Sequence, residues 1–317
     1  MALQDELTSE ELLALDKMES DLFKEGSKDT PPALLFHYTS SAGLDGILKS
    51  KEIWATHFRY LNDAGELTYG EELALELAND LLQGPKELGV RTFLEMFVEH
   101  FATMRLSEIG AIYVASFSEN ADQLSQWRAY GSDNSGYAIG FSRLPEPTND
   151  SPDAIIGLSL YKCTYDTDRF RTRTRALFAE LAKGFDKYLA IHASREKAAR
   201  ALLATALGIC WRRLVVEVFR LKSPGFYEEQ EWRLVVVPSR GPTPKLVRCR
   251  LSPQGLVPYI PIRLVENESD LLPLGTVTVG PGDNAQLAKM SCEVLLEVAG
   301  YSPDIVKMSA IPYRRFR

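Results

Sequence analysis

The 317 residues are 45% hydrophobic and 25% charged, which is typical of a globular protein with a sizeable core. No apolar run approaches the roughly 18 residues that a membrane-spanning helix needs. The net charge is −7, and residues 1–30 carry most of it in nine acidic residues and three lysines. The rest of the chain is nearly neutral, which argues against non-specific binding of nucleic acid but leaves a local site open.

The cysteines and the N-terminus indicate the compartment. No two of the four cysteines have the spacing of a zinc site or a redox motif, so we expect reduced, buried thiols. The acidic N-terminal segment lacks the basic and apolar regions of a signal peptide, which favours a cytoplasmic protein. No spacing of His, Asp or Glu makes a persuasive metal site, and we expect no metal.

The first third of the chain predicts alternating helices and strands. Residues 6–24 have the pattern of an acidic amphipathic helix, with Thr8 and Glu11 as a capping box and a polar linker after it. A strand over 34–38, a helix over 42–50 and a strand over 53–56 follow. Asp63 then fits the cap of the first of two helices, over about 66–82 and 86–107.

The remaining elements predict an α+β fold. We expect a strand over 111–118, a short helix over 122–130, a strand over 135–141 and a long helical insertion within 169–221. Further strands are predicted from 227 to 237, near 245–250 and 258–265, over 276–279 and near 304–308, with a helix over 284–299. Strands arrive singly between helices, so the sheet is mixed and has helices packed around it.

The strand from Tyr227 to Val237 opens with two carboxylates. Strand side chains alternate between faces, so Glu229 and Glu231 are predicted to share one face, about 7 Å apart, together with Arg233. Such a pair needs a cation between the carboxylates, or one protonated carboxyl group. A cleft that stabilises a sugar oxocarbenium ion would use this arrangement, but so would a surface strand paired with Lys or Arg. Arg233 is either the cation that offsets the repulsion or a ligand for pyrophosphate.

Seven short motifs occur in order along the chain: Phe36–Ser40, Leu61–Glu66, Ser116–Ser118, Trp127–Gly131, Glu229–Arg233, Val279–Pro281 and Ile311–Arg314. Together they resemble the bacterial family catalogued as domain of unknown function 2971, over about residues 33–315. That family has no well-established activity.

Three of these motifs also resemble, more distantly, the three-part signature of ADP-ribosyltransferases. The resemblance implies a mixed, mostly antiparallel split β-sheet surrounded by helices. It places a single domain of this kind at residues 33–317, with the helical insertion at about 168–221, after an N-terminal helix and linker at residues 1–32.

The same resemblance implies roles in binding and cleaving NAD, which would be the substrate. Glu231 becomes the catalytic carboxylate and Glu229 the acceptor-side one. The other predicted NAD-binding residues are His37 on a ribose hydroxyl, Ser116 and Ser118 under the nicotinamide, and Tyr38, Thr39, Trp127, Tyr130 and Arg233.

Each of these residues also has a structural interpretation. His37, taken alone, is better explained as a core histidine with satisfied hydrogen bonds, and the two serines are equally explained as hydrogen-bonded strand residues. Trp127 and Tyr130 lie three residues apart on one helical face, a spacing that usually belongs to a core.

Three functions therefore stay open. The first is NAD-dependent ADP-ribosyl transfer to a protein or nucleic-acid acceptor, for which the resemblance suggests a role as a toxin or phage-defence effector. The second uses water as the acceptor and is an NAD glycohydrolase. The third is a non-catalytic module that binds a nucleotide or a partner on the same fold.

Overall fold

The computed structural model describes residues 8–10, 13, 29–61, 64–84, 88–103, 112–130, 136–145, 155–192, 205, 207–208, 213–238, 246–252 and 255–312. The chain divides into two compact units. One comprises Met1–Lys28, Asp63–Gly110 and Thr164–Pro224, and the other Asp29–Asn62, Ala111–Cys163 and Gly225–Arg317. The single domain predicted for residues 33–317 stays a prediction.

The helices, in chain order, are α1 (Ser41–Ser50), α2 (Ala64–Leu82), α3 (Leu88–Thr103), α4 (Leu124–Tyr130), α5 (Thr167–His192) and α6 (Ala285–Val298). Residues 213–220 are also helical. The strands are β1 (Leu35–Ser40), β2 (Glu52–His57), β3 (Tyr113–Ser118), β4 (Gly136–Phe141), β5 (Ile155–Lys162), β6 (Glu231–Pro238), β7 (Arg248–Ser252), β8 (Gly255–Arg263), β9 (Leu274–Val279) and β10 (Val306–Met308). Short 3-10 segments cover Phe58–Tyr60, Pro224–Glu229 and Pro303–Ile305.

The first unit is a helical bundle built from α2, α3, α5 and residues 213–220. Its core is rich in phenylalanine, and Phe97 packs edge-on against Phe178 with ring centres 4.8 Å apart. Gly70 of α2 lies against Val218, where a β-carbon would come within 2.8 Å of a Val218 methyl group. Of the predicted helical insertion, the described residues 167–192, 205, 207–208 and 213–220 are helical.

The second unit contains the sheet, in the order β10-β9-β4-β1-β3-β2-β8-β7. Strand β6 pairs with β3, and β5 pairs with β6. The pairs are antiparallel except for β9 with β10, which is parallel. The predicted α+β class, with a mixed and mostly antiparallel sheet, is therefore confirmed.

The sheet divides at β3. One edge of β3 pairs along its whole length with β6, from Tyr113 to Ser118. The other edge is shared, because β2 pairs at Tyr113 and Val114 whereas β1 pairs at Ser118. Strands β1 and β2 pair with opposite ends of this edge, so they diverge beside the middle of β3 and leave a split between them.

The two faces of β1 belong to different clusters of apolar side chains. Leu35 joins a large core that contains Phe117 and Trp232 and that is closed by residues of α1 and α6. Phe36 and Tyr38 join a smaller cluster under α4. The alternation of side chains along a strand therefore separates His37 from its neighbour Tyr38.

Several expectations need correction or lie beyond the described residues. Strand β5 was not predicted, although it pairs along nearly all of its length with β6. The thiol of Cys249 is exposed, so the expectation of buried cysteines is wrong there, whereas Cys163 and Cys292 are buried. The predicted N-terminal helix, apart from residues 8–10 and 13, and the predicted cap at Asp63 lie outside the described residues.

The described part of the chain contains no helix that is both long and apolar enough to span a membrane. Nor does it group three or more His, Cys, Asp or Glu side chains so that they could hold a metal ion.

Candidate functional site

The three strands that carry the predicted motifs are neighbours in the sheet. On β3 and β6, Ser118 lies directly opposite Glu231, and Ser116 lies opposite Arg233. Residues that face each other across paired strands share a face, so these four side chains lie on the same side of the sheet. Strand β1 joins the opposite edge of β3 through Phe36 and Ser118.

Glu229 does not lie on β6. It ends the 3-10 segment, and Gln230 follows it with a φ of 41°, in the left-handed region. Strand β6 begins only at Glu231. The prediction that Glu229 and Glu231 share a strand face is therefore wrong, because a left-handed residue between them interrupts the alternation.

Hydrogen bonds from β3 fix this turn. The hydroxyl of Ser118 donates to the carbonyl of Glu229 at 2.7 Å and accepts from the amide of Asn120 at 3.0 Å. The amide of Glu119 also donates to the carbonyl of Gln230 at 3.2 Å. The hydroxyl of Ser118 therefore holds the start of β6 in place.

The carboxylate of Glu231 is buried and ion-paired. Arg233 donates from Nε to Oε1 at 3.0 Å and from Nη2 to Oε2 at 2.9 Å. The residues are 4% and 6% exposed, so the pair is shielded from water. The thiol of Cys163 adds a weak donor 3.8 Å from Oε2. Arg233 therefore neutralises Glu231 in this structure, and its role as a ligand for pyrophosphate stays a prediction.

His37 of β1 contacts the middle of β3, beside the split between β1 and β2. Its Nδ1 is 3.0 Å from the carbonyl oxygen of Ser116, and its ring centre is 5.7 Å from that of Phe117. Burial lowers the pKa of His37 below its usual value and the positive charge of Arg250 adds to this, while the hydrogen bond to Ser116 acts in the opposite direction. A neutral imidazole whose Nδ1 faces a carbonyl must carry its proton on Nδ1. Its Nε2 is therefore a hydrogen-bond acceptor.

Tyr38 and Trp127 have structural contacts. The phenol of Tyr38 donates to the carbonyl of Asn120 at 2.7 Å and accepts from the amide of Gln123 at 3.0 Å. Its ring meets Trp127 edge-on at 4.7 Å, and Trp127 in turn donates from Nε1 to Asp122 at 2.7 Å. These contacts hold the loop between β3 and α4 in place.

Thr39 and Tyr130 are the remaining two residues that were predicted to bind NAD. Thr39 lies opposite Tyr137 of β4, and a β-carbon at Gly43 would come within 1.9 Å of its hydroxyl oxygen, so α1 packs closely upon it. Tyr130 is 40% exposed, whereas Trp127, three residues earlier, is buried. The two aromatic residues of α4 therefore do not form one buried surface.

A second carboxylate, Glu119, was not singled out from the sequence. It accepts hydrogen bonds from Lys162 Nζ at 2.6 Å and from Trp232 Nε1 at 2.8 Å. Burial alone would raise its pKa, but these two hydrogen bonds and the charge of Lys162 bring the pKa of Glu119 below its usual value. The only sequence signal was its position directly after the Ser-Phe-Ser motif.

Comparison with known proteins supports the family. Residues 126–234 match the sequence model of the family described as Protein of unknown function (DUF2971). The matched region contains Glu231 and Arg233 but neither His37 nor the two serines of β3. No curated protein and no solved structure matches the chain.

Proposed function

We propose that this protein cleaves the bond between nicotinamide and ribose in NAD and transfers the ADP-ribose to a protein or nucleic-acid acceptor. The observation that supports this proposal is the convergence of three motifs on adjacent strands. His37 and Ser116 are 79 residues apart in sequence and share a hydrogen bond, and the next strand brings Glu231 opposite Ser118. A carboxylate beside the reacting sugar would stabilise the positive charge that develops as nicotinamide leaves.

The contacts suggest how each group would act. The Nε2 atom of His37 is placed to accept a hydrogen bond from a ribose hydroxyl. Arg233 would exchange the carboxylate of Glu231 for the pyrophosphate of NAD, because a guanidinium group binds both anions in the same two-pronged geometry. Alternation places His37 on the face of Leu35 and Phe117 and Glu231 on the other face, so the sugar would have to lie in the split for the released carboxylate to reach it. A role as a toxin or phage-defence effector is part of this proposal and rests on the resemblance alone.

One observation favours a second function, a non-catalytic module that binds a nucleotide or a partner. Both carboxylate oxygens of Glu231 are engaged by Arg233 in a buried pair. A binding module would keep this arrangement permanently, because the pair neutralises a charge that would otherwise be costly to bury.

Incubation with cell lysate and NAD labelled in its adenylate half separates the possibilities. Label on protein or nucleic acid supports transfer, and free labelled ADP-ribose supports the glycohydrolase. If neither product forms while calorimetry detects NAD binding, the protein is the non-catalytic module.

The variant Glu231→Gln tests the catalytic carboxylate. We expect loss of product, whereas Glu266→Gln, which changes an exposed glutamate elsewhere on the same unit, should keep full activity. Because Glu231→Gln leaves Arg233 without its buried counter-charge, thermal unfolding of both variants must be measured in parallel. Glu231→Asp retains the charge but withdraws the carboxylate by one methylene group, and it should fold yet turn over slowly. Full NAD cleavage by a folded Glu231→Gln protein would overturn the proposal.

A further inference from the structure

Two arginines of β7 reach across β8 to residues on either side of an exposed tryptophan of β2. Trp54 lies between Glu52 and Thr56, and all three share one face of the strand. Arg248 places Nη1 3.4 Å from the Glu52 carboxylate, and Arg250 donates from Nη2 to the Thr56 hydroxyl at 3.1 Å. The indole is 39% exposed.

The tryptophan is supported from below. Its ring stacks on that of Tyr259, with centres 4.3 Å apart and planes inclined by 27°. Tyr259 is only 7% exposed, so the stack has a fixed base in the sheet. The guanidinium carbon of Arg250 lies 5.8 Å from the centre of the Trp54 ring, within the range of a cation–π contact. The exposed part of the indole is therefore held in one orientation.

The arginines can change partners. The side chain of Arg248 is 57% exposed, and an exposed ion pair such as the one with Glu52 contributes little to stability. Arg250 binds a neutral hydroxyl in the contact given above, so its charge can also be drawn to an incoming anion. Arg248 and Arg250 are alternate residues of β7 and lie about 7 Å apart on the same face.

We propose that this surface, formed by Trp54, Tyr259, Arg248 and Arg250, binds single-stranded nucleic acid. A base would stack on Trp54 while successive phosphates pair with the two arginines, the combination that single-strand-binding surfaces use. An acidic peptide would satisfy the arginines but not the flat aromatic face, and an apolar partner would leave the charges unpaired. The chain outside residues 1–30 is nearly neutral, so we expect phosphate contacts at this surface alone. The site should therefore contact only a few nucleotides.

The inference does not rest on the cleavage of NAD, and its test contains no NAD. Fluorescence anisotropy with a labelled 12-nucleotide oligoadenylate should show micromolar binding to the full-length protein. Trp54→Ala should weaken binding by about fivefold to a hundredfold, the range that stacking of one base on an aromatic side chain accounts for. Trp54→Phe keeps an aromatic face and should retain most of the affinity.

The dependence of the affinity on salt concentration tests the contribution of the arginines. Arg250→Gln should weaken binding and reduce by about one the slope of the logarithm of affinity against the logarithm of salt concentration. Tyr69→Ala, which removes an exposed aromatic residue from the helical unit, is the matched control and should bind as the unmodified protein does.

An abasic oligonucleotide of equal charge distinguishes stacking from charge alone, and it should bind much more weakly than oligoadenylate. Equal binding of the abasic strand, unchanged affinity in a folded Trp54→Ala variant, or no binding at micromolar protein would each overturn the inference.

Discussion

Arg233 holds the carboxylate of Glu231 through two hydrogen bonds, of 3.0 and 2.9 Å, in a setting where both side chains are less than a tenth exposed. The two residues are alternate positions of one strand, so β6 itself supplies both halves of the pair. Such a pair contributes little net stability compared with apolar residues, because both charges must be desolvated. Breaking it is costly, since the remaining charge stays buried without its counter-charge.

The first prediction concerns the stability of this pair. Arg233→Met removes the guanidinium group that neutralises the buried Glu231 carboxylate, and we expect the free energy of unfolding in urea to fall by about 3–5 kcal/mol. The control is Arg263→Met, because the pair of Arg263 with Glu268 spans 3.8 Å and is 48% and 93% exposed. That change should cost less than about 1 kcal/mol.

The double variant Glu231→Leu with Arg233→Met checks the physical reason. It removes both charges and should recover much of the stability that Arg233→Met loses. Equal losses in the single and double variants would show that the pair does not act as a unit.

The second prediction concerns the pH dependence that His37 contributes. Its pKa in the folded protein is lowered by burial, so protonation favours the unfolded chain. Stability from this group is complete above the unfolded pKa of about 6.5 and is lost as the pH falls from there toward the folded pKa. In His37→Gln, the decline of the unfolding free energy between about pH 7 and pH 5 should therefore be shallower than in the unmodified protein.

A variant of His57 is the control for the pH dependence of stability that is assigned to His37. Burial and the charge of Arg59 lower its pKa as well, so it contributes a slope of the same sign. His57→Gln should remove its own share and leave the share of His37 intact, and the two effects should add in the double variant. If His37→Gln leaves the slope unchanged, the imidazole beside the split does not titrate as its burial requires.

The strands that carry the candidate site could be predicted because their patterns are local. Side chains along β1, β3 and β6 point alternately into the large core and to the other face of the sheet. The sequence alternation alone therefore predicts that His37 and Tyr38 lie on opposite faces, as do Glu231 and Trp232. β5 had the same signal, since Leu158 and Leu160 alternate with small or polar residues and pack against the large core.

Other features depend on long-range contacts that no local pattern encodes. The left-handed conformation of Gln230 is set by hydrogen bonds from β3, more than 100 residues earlier. The split beside His37 arises because β1 and β2 share one edge of β3. The approach of Arg250 to Trp54 likewise requires that β8 lie between β2 and β7.

The third prediction concerns the close contact of Gly280 with Trp127. A β-carbon at Gly280 would come within 2.8 Å of the indole ring and 3.2 Å of the carbonyl of Gly136. The indole is buried, so it has little room to move, and Gly280→Ala should destabilise the protein by about 1–3 kcal/mol. Gly46→Ala in α1, where nothing lies within 4 Å of an added β-carbon, should instead stabilise it by about 0.5–1 kcal/mol. Urea unfolding measures both, and a neutral Gly280→Ala would mean that the indole is free to shift.

The last prediction concerns the reactivity of the thiols. Cys249 is exposed on β7, whereas burial, with the charge of Glu293, raises the pKa of Cys292 to about 12. The thiolate is the reactive form, so Cys292 is almost entirely unreactive at pH 8. In a titration of the native protein with Ellman's reagent, Cys249→Ser should remove one rapidly reacting equivalent.

Cys292→Ser is the matched control for this titration. It should leave the rapid phase unchanged and remove one equivalent only after the protein is unfolded in denaturant, because the buried thiol becomes available only then. A loss of rapidly reacting thiol in Cys292→Ser would mean that α6 opens within the time of the assay and exposes the side of the helix that packs on the sheet.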